Sequence, residues 1–445
     1  MKRYIIALAV VAALHGPQPV VAQVSAKPLS LAESIALALE KNAAVQAAEH
    51  EVRGADYERK AARSDFLPKV TTGHSYTRYD ETPYAKSPAG EFGPEPMKYK
   101  TGTQSHYQWN TSVTQPVFTG GALASSYAMA RLGRDMAQQS SARTKQDIIL
   151  EVKQAYFTIL KADKIKQVAA RAVEQVASHA EVAKAFYEEQ MVAQNDYLQA
   201  QVRLAQARQN LIRADNGAQV SRAWFNTVLS RGVSEPVALE DVLICTPRAF
   251  SLDNATSDAL ALRPEIKEAS LGVEKAQKGI RLAQSSYYPS LSLVADYRKM
   301  GEKARMNGSH YEDGEVFTAG TVLRWDIWEW GRNHYKVGSS KAQAAKAAEQ
   351  KRQVADAVSL EVKQAWLDTV EAEKNIGVTQ TAIVQAEENF RLYREQYAEQ
   401  MATSTDVLDA QTLLTEAKSN YYNALSDYHI AAARLERAAG WDVRR

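Results

Sequence analysis

The chain has 445 residues, with 54 Lys+Arg against 52 Asp+Glu and a formal net charge of +2. That balance argues against a dedicated nucleic-acid binder, which needs a basic excess or stripe. The single cysteine, Cys245, excludes an intrachain disulfide and any multi-cysteine metal or iron–sulfur site. With 21 Gly and 13 Pro the chain permits long unbroken helices, and a mean hydropathy of -0.40 argues against a polytopic helical membrane protein.

Residues 1–22 read as a signal peptide. Lys2 and Arg3 precede an uncharged apolar run over 4–14, and Val20-Val21-Ala22 offers the small residues a signal peptidase reads, so cleavage is expected after Ala22. The run is too short for the roughly 20 residues of a span, and Gly16 and Pro17 end it. No cysteine follows it directly, so no lipid anchor is expected. No later apolar run reaches 18 residues, so any membrane crossing falls to β-strands.

The remainder is written twice. A helical segment over 29–65 stops before Pro68, where a helix cannot comfortably continue. Strand-like runs follow at 69–79 and 107–118, separated by a polar Gly/Pro-rich stretch read as an exposed loop. Two long helical stretches come next, over 122–190 and 195–230. The same order recurs as a helix over 253–286, strands at 290–300 and 316–328, and helices over 332–399 and 406–439. Glu151-Val152-Lys153-Gln154-Ala155 returns as Glu361-Val362-Lys363-Gln364-Ala365, an offset of 361 − 151 = 210. Asp196-Tyr197-Leu198-Gln199-Ala200-Gln201 answers to Asp406-Val407-Leu408-Asp409-Ala410-Gln411 at the same offset. Upstream, Pro68 answers to Pro289, an offset of 289 − 68 = 221, so a loop in between is expected to be longer in the first copy. The division is a first repeat over 23–232, a linker over 233–250 and a second repeat over 251–445.

The long helices keep a 3.5-residue seam. From Ile148 it visits Val152, Ala155, Ile159, Ala162, Lys166, Ala169, Val173, Val176, Ala180, Ala183 and Tyr187. In the second copy Val358, Val362, Ala365, Thr369, Ala372, Ile376, Thr379, Ile383, Ala386, Phe390, Tyr393 and Tyr397 take these places. Such a period predicts left-handed supercoiling against partner helices. The strands alternate: Tyr107, Trp109, Thr111, Val113 and Val117 oppose Gln108, Asn110, Ser112 and Thr114, and Phe317, Ala319, Thr321 and Leu323 oppose Thr318, Gly320 and Arg324. One greasy and one wet face suit transmembrane β-strands. Four strands cannot close a barrel, so several chains must share one.

This pattern resembles the TolC-type outer-membrane efflux channel family over nearly the whole mature chain, most specifically at residues 397–411. The resemblance implies a mixed α and β fold with internal tandem duplication. In it, three chains supply four strands each to one trimeric outer-membrane β-barrel, continued by a long periplasmic α-helical coiled-coil barrel. The linker and the termini would form an equatorial belt. The implied function is a passive exit duct of a tripartite efflux or type I secretion system. Its partners would be outer-membrane lipid, a periplasmic adaptor (membrane fusion) protein and an inner-membrane pump, with no nucleic acid. A pore-free periplasmic coiled-coil adaptor or scaffold is the competing reading, but such proteins carry one hairpin per chain.

No catalytic set, metal site or cofactor site is expected: none of the eight histidines is paired at i, i+4, and there is no phosphate loop. By resemblance, Asp406 and Asp409 ring the pore constriction as a cation-favouring device. Asp196 and Tyr397 make gating contacts between neighbouring hairpins at the tip. Gln190, Met191, Gln400 and Met401 at the hairpin turns dock the adaptor. Where many relatives have Gly before the apolar tip residue this chain has Gln190 and Gln400, which predicts a differently shaped turn; Ala402 stands where some relatives carry a basic residue. Asp196 and Asp406 also read simply as N-caps.

Overall fold

The computed structural model describes residues 28–91, 93–244, 248–311 and 313–441. The signal peptide over 1–22 and Cys245 lie outside them. Ser30 opens α1 (Leu31–Lys41) with a capping box to Glu33. Asn42 then leaves helical geometry (φ −64°, ψ 129°) and caps α2 (Ala43–Ser64) through Ala44 N–H. The corresponding break in the second copy falls at Arg263, between α5 (Leu252–Leu262) and α6 (Pro264–Gln284). Pro264 denies helical geometry to the residue before it. The single helical segments expected at 29–65 and 253–286 are therefore each two helices.

Four strands follow in pairs: β1 (Lys69–Arg78) with β4 (Ser105–Phe118), then β5 (Ser290–Gly301) with β6 (Glu315–Arg324). They form one antiparallel sheet in the order β1-β4-β5-β6. Between β1 and β4 the expected loop contains two further short strands, β2 (Tyr84–Ser87) and β3 (Met97–Lys100). The register lines up Val70, Tyr76, Tyr107, Trp109, Val113, Leu293, Ala295, Tyr297, Phe317 and Leu323 on one face. Aromatic contacts run across it, Tyr76 to Tyr107 at 4.5 Å and Trp109 to Tyr297 at 6.2 Å. The other face carries Thr71, Ser75, Gln108, Asn110, Ser112, Asp296, Arg298 and Thr318. β1 and β6 are exposed throughout and have no partner strand on their outer edges. β6 ends at Arg324, opposite Ser290, so Trp325–Trp328 continue past the paired sheet.

The helices α3 (Ala122–Glu188), α4 (Gln194–Val228), α7 (Arg332–Ala398) and α8 (Ser404–Ala439) carry the chain away from the sheet. At 1.5 Å per residue, the 67 residues of α3 and of α7 reach about 100 Å. At the strand-to-helix turn, Gly120 sits so close to Ser285 O that a Cβ would lie 2.5 Å from it. α4 packs on α3, α3 on α8 and α8 on α7. Ile148, Val152, Ala155, Ile159, Val176, Ala180 and Ala183 are buried on α3, as are Val358, Val362, Thr369, Ile376, Phe390 and Tyr397 on α7. The expected seam is packed over most of its length, with Lys166 and Tyr187 the departures: Lys166 pairs with Asp215 and Tyr187 is 37% exposed.

Near the middle of α3 the segment before α1 meets the segment that follows α4. Leu29 bridges Leu239 in parallel, and the fully buried Tyr156 donates its hydroxyl to Glu240 O (2.8 Å). Burial pushes that phenol up to about 12. On the second repeat, Arg263 and Arg437 clamp Glu265 (2.8 Å each) and Glu361 (2.6 and 3.0 Å). Burial would raise the Glu265 carboxyl, but Arg263 and Arg437 outweigh it and hold it at about 2.

Candidate functional site: the tip of the helical hairpins

The site farthest from the sheet is built from two turns of the same design. α3 ends with Gln190 at φ 59°, its N–H donated to Tyr187 O and that of Met191 to Phe186 O. α7 ends with Gln400 at φ 57°, with Gln400 N–H to Tyr397 O and Met401 N–H to Gln396 O. These paired bonds are Schellman closures, the geometry glycine favours. The turn shape expected to change without glycine is therefore retained, and each glutamine occupies a left-handed conformation that costs an L-residue about 1–2 kcal/mol. Met191 and Met401 project from the turns, 48% and 73% exposed.

The cap of the second helix of each hairpin lies three residues before the aspartate singled out from sequence. Thr403 caps α8, and Asp406 stands at N3, accepting from Thr403 N (2.8 Å) and Thr403 Oγ1 (2.6 Å). These bonds hold its carboxyl below the ordinary range. In the first hairpin Ala193 is the cap and makes no side-chain bond, with Asp196 in its first turn. The N-cap reading of Asp196 and Asp406 is thus corrected: both belong one turn inside, because the residue preceding each helix lies at 193 and 403.

At the tip, three side-chain bonds among the described residues tie one hairpin to the other. His179 Nε2 meets Ser404 Oγ at 2.8 Å, Thr405 Oγ1 donates to Gln199 Oε1 at 2.9 Å, and Arg203 pairs with Asp409 at 3.2 Å. Asp409 therefore is not a bare carboxylate, although its side chain is 60% exposed. The buried ring of Tyr397 packs against His179 (4.8 Å) and Phe186 (5.6 Å). Its hydroxyl is buried and makes no hydrogen bond within the described residues. Burial raises that phenol, and the Asp196 charge adds to the effect. Tyr397 and Asp196 are thus electrostatic neighbours within one chain without being bonded. Burial likewise drives the His179 imidazole down to about 4. A cleft of 360 Å³ opens between α4 and α8, lined by Asn195, Leu198, Gln199, Val202, Arg203, Thr405 and Leu408.

Sequence reasoning brought Asp196, Gln199, Tyr397, Asp406 and Asp409 to this end of the molecule, reading Gln199 as a capping partner of Asp196 where the structure bonds it to Thr405, but missed His179, Ser404 and Arg203. The only signal was a histidine beside the seam at Ala180. Its partner lies 225 residues away and has no periodic signature.

The profile described as outer membrane efflux protein matches residues 34–227 and 255–441. The outer membrane efflux protein BepC of Brucella suis is 21% identical over 411 residues, covering 92% of this chain and 85% of that one. The outer membrane protein TolC of Escherichia coli is 23% identical over 304 residues, covering 66% and 62%. Among solved structures, the CmeC outer membrane channel of Campylobacter jejuni superposes with a TM-score of 0.77 at 16% identity, covering 92% of this chain and 85% of that one. The channel reading stands over the pore-free adaptor, and the sheet is the outer-membrane part from which the helices extend into the periplasm. The chain belongs to the outer membrane efflux protein family.

Proposed function

We propose that three copies of this chain form one passive exit duct, fed by an inner-membrane pump through a periplasmic adaptor that docks at the hairpin tips. The observation that carries this reading is the pair of bare sheet edges. With the order β1-β4-β5-β6 and antiparallel pairing throughout, β6 of one chain runs antiparallel to β1 of the next. Three chains of four strands then give twelve, a closed sheet with an apolar outside and a polar lumen. The helices support it: α4 and α7 are the free edges of the four-helix layer and carry exposed apolar side chains, Leu198, Val202 and Ile212 on one, Leu360, Leu367 and Val378 on the other. The tip completes the assignment. Asp406 and Asp409 face the constriction, Asp196 and Tyr397 hold it closed, and Gln190, Met191, Gln400 and Met401 meet the adaptor. Detergent-solubilised protein is expected near three mature chains, about 140 kDa from a 49.2 kDa precursor. A folded monomer in detergent would refute the shared barrel.

A further inference from the structure

Residues 79–104 join β1 to β4, while 302–314 suffice to join β5 to β6. The extra length of the first copy folds into the β2–β3 hairpin, which stands at the end of the sheet opposite the helices, hence on the outer side of the membrane. Its register pairs Tyr84 with Lys100 and Lys86 with Lys98. Paired residues and those two apart share a face. Tyr84, Lys86, Lys98 and Lys100 therefore lie together on one side, and all four are exposed. Like charges directly opposite destabilise a hairpin. Elsewhere the sheet avoids this, as where Lys299 meets Glu315 at 2.9 Å. Among the described residues no carboxylate pairs with Lys86, Lys98 or Lys100. Lys98 Nζ lies 3.5 Å from the Tyr84 ring centroid, a contact that holds a cation without neutralising it. The nearby carboxylates make no ion pair with these lysines among the described residues: Asp80 accepts the Glu81 amide (2.8 Å), Glu91 accepts from Ser87 Oγ (2.8 Å) on the opposite side of the hairpin, and Glu81 and Glu95 lie outside the paired strands, before β2 and before β3.

We propose that this face binds the phosphate groups of phosphorylated glycolipid in the outer leaflet around the barrel. Cross-strand neighbours stand about 5 Å apart and next-but-one neighbours about 7 Å apart. Three ammonium groups at that spacing converge on one or two phosphates, and an anion seated among them turns their mutual repulsion into attraction. The location supplies the ligand: the hairpin leaves the sheet where the apolar band gives way to headgroups.

The test uses the full chain purified in detergent and titrated with a bisphosphorylated glycolipid and with its dephosphorylated counterpart, binding being read by native mass spectrometry. The phosphorylated form is expected to bind tighter. The triple variant Lys86→Gln, Lys98→Gln, Lys100→Gln should lose that preference by about tenfold or more, and the triple Lys→Arg variant should keep it. Gln removes the cross-strand repulsion, so a loss of binding does not arise from a melted hairpin. Equal binding of the two glycolipids, or an unchanged preference in the Gln variant, overturns the proposal. Inorganic phosphate at matched phosphate concentration is expected to leave the glycolipid bound; displacement by it overturns the lipid assignment.

Discussion

His179 makes the tip sensitive to acid. The ring is 8% exposed and sits among α3, α7 and α8, bonded to Ser404 and packed on Tyr397. The charged groups around it offer no compensation: Asp196 acts on Tyr397, and Lys184 on the same helix pairs with Glu188. The packed imidazole has its pKa at about 4, against 6.5 when free. Its pKa is depressed, so the packed state is fully favoured above pH 6.5 and loses stability as pH falls from 6.5 towards 4. The full difference is about 3 kcal/mol at about 1.4 kcal/mol per pH unit. At pH 5.0 roughly 2 kcal/mol is already lost, which raises the local opening equilibrium about 30-fold. The assay is hydrogen exchange of the amides at 405–411, each compared with its free-peptide rate at the same pH. Protection should fall about 30-fold between pH 7.5 and 5.0 in the native chain. It should be flat in His179→Gln, which keeps a polar group near Ser404 without a titrating ring. A change below about threefold in the native chain, or an equal change in the Gln variant, would refute the reasoning.

Replacing Met191 and Met401 with Asp should abolish export in cells while leaving oligomer mass and membrane insertion unchanged; continued export would move the docking surface elsewhere. Asp406→Asn with Asp409→Asn should remove cation preference, read as the single-channel reversal potential under a salt gradient, while Asn retains an acceptor for Thr403; an unchanged potential would leave these residues as capping and pairing groups alone. Glu265→Gln should lower the thermal midpoint followed by circular dichroism, through a loss of about 3 kcal/mol when the buried Arg263 and the partly buried Arg437 lose one of their two shared carboxylates and keep Glu361. The native Glu265 carboxyl should stay ionised to well below pH 4, while its contribution to stability declines progressively as pH falls from about 4.5 towards about 2.

Periodicity made the large elements readable. The seam from Ile148 and the alternation from Tyr107 are repeated over many residues, so single exceptions such as Lys166, which pairs with Asp215, do not hide them. What stayed hidden was set by single residues or by distant partners. Asn42 and Arg263 break helices that the pattern alone would continue, one by its side-chain cap and one by a following proline. β2 and β3 have four residues each, too few for alternation to register. The end of β6 depends on where β5 begins, not on Trp325 or Ile327, which remain strand-like in type. At the tip, the aspartates were recognisable from the repeat. The bonds between hairpins were not: Gln199 to Thr405 and Arg203 to Asp409 each join residues 206 positions apart.

The two unpaired edges also bear on assembly kinetics. A lone chain in lipid would hold the outward amides and carbonyls of β1 and β6 without partners, while its apolar sheet face is unsuited to the aqueous periplasm. In the proposed trimer neither environment suits the monomer, so insertion and association form one coupled step rather than a sequence of independent ones. The rate of channel formation then depends steeply on the local concentration of unassembled chains. At low expression those chains linger with sticky strands exposed, and loss to proteolysis or aggregation competes with productive insertion.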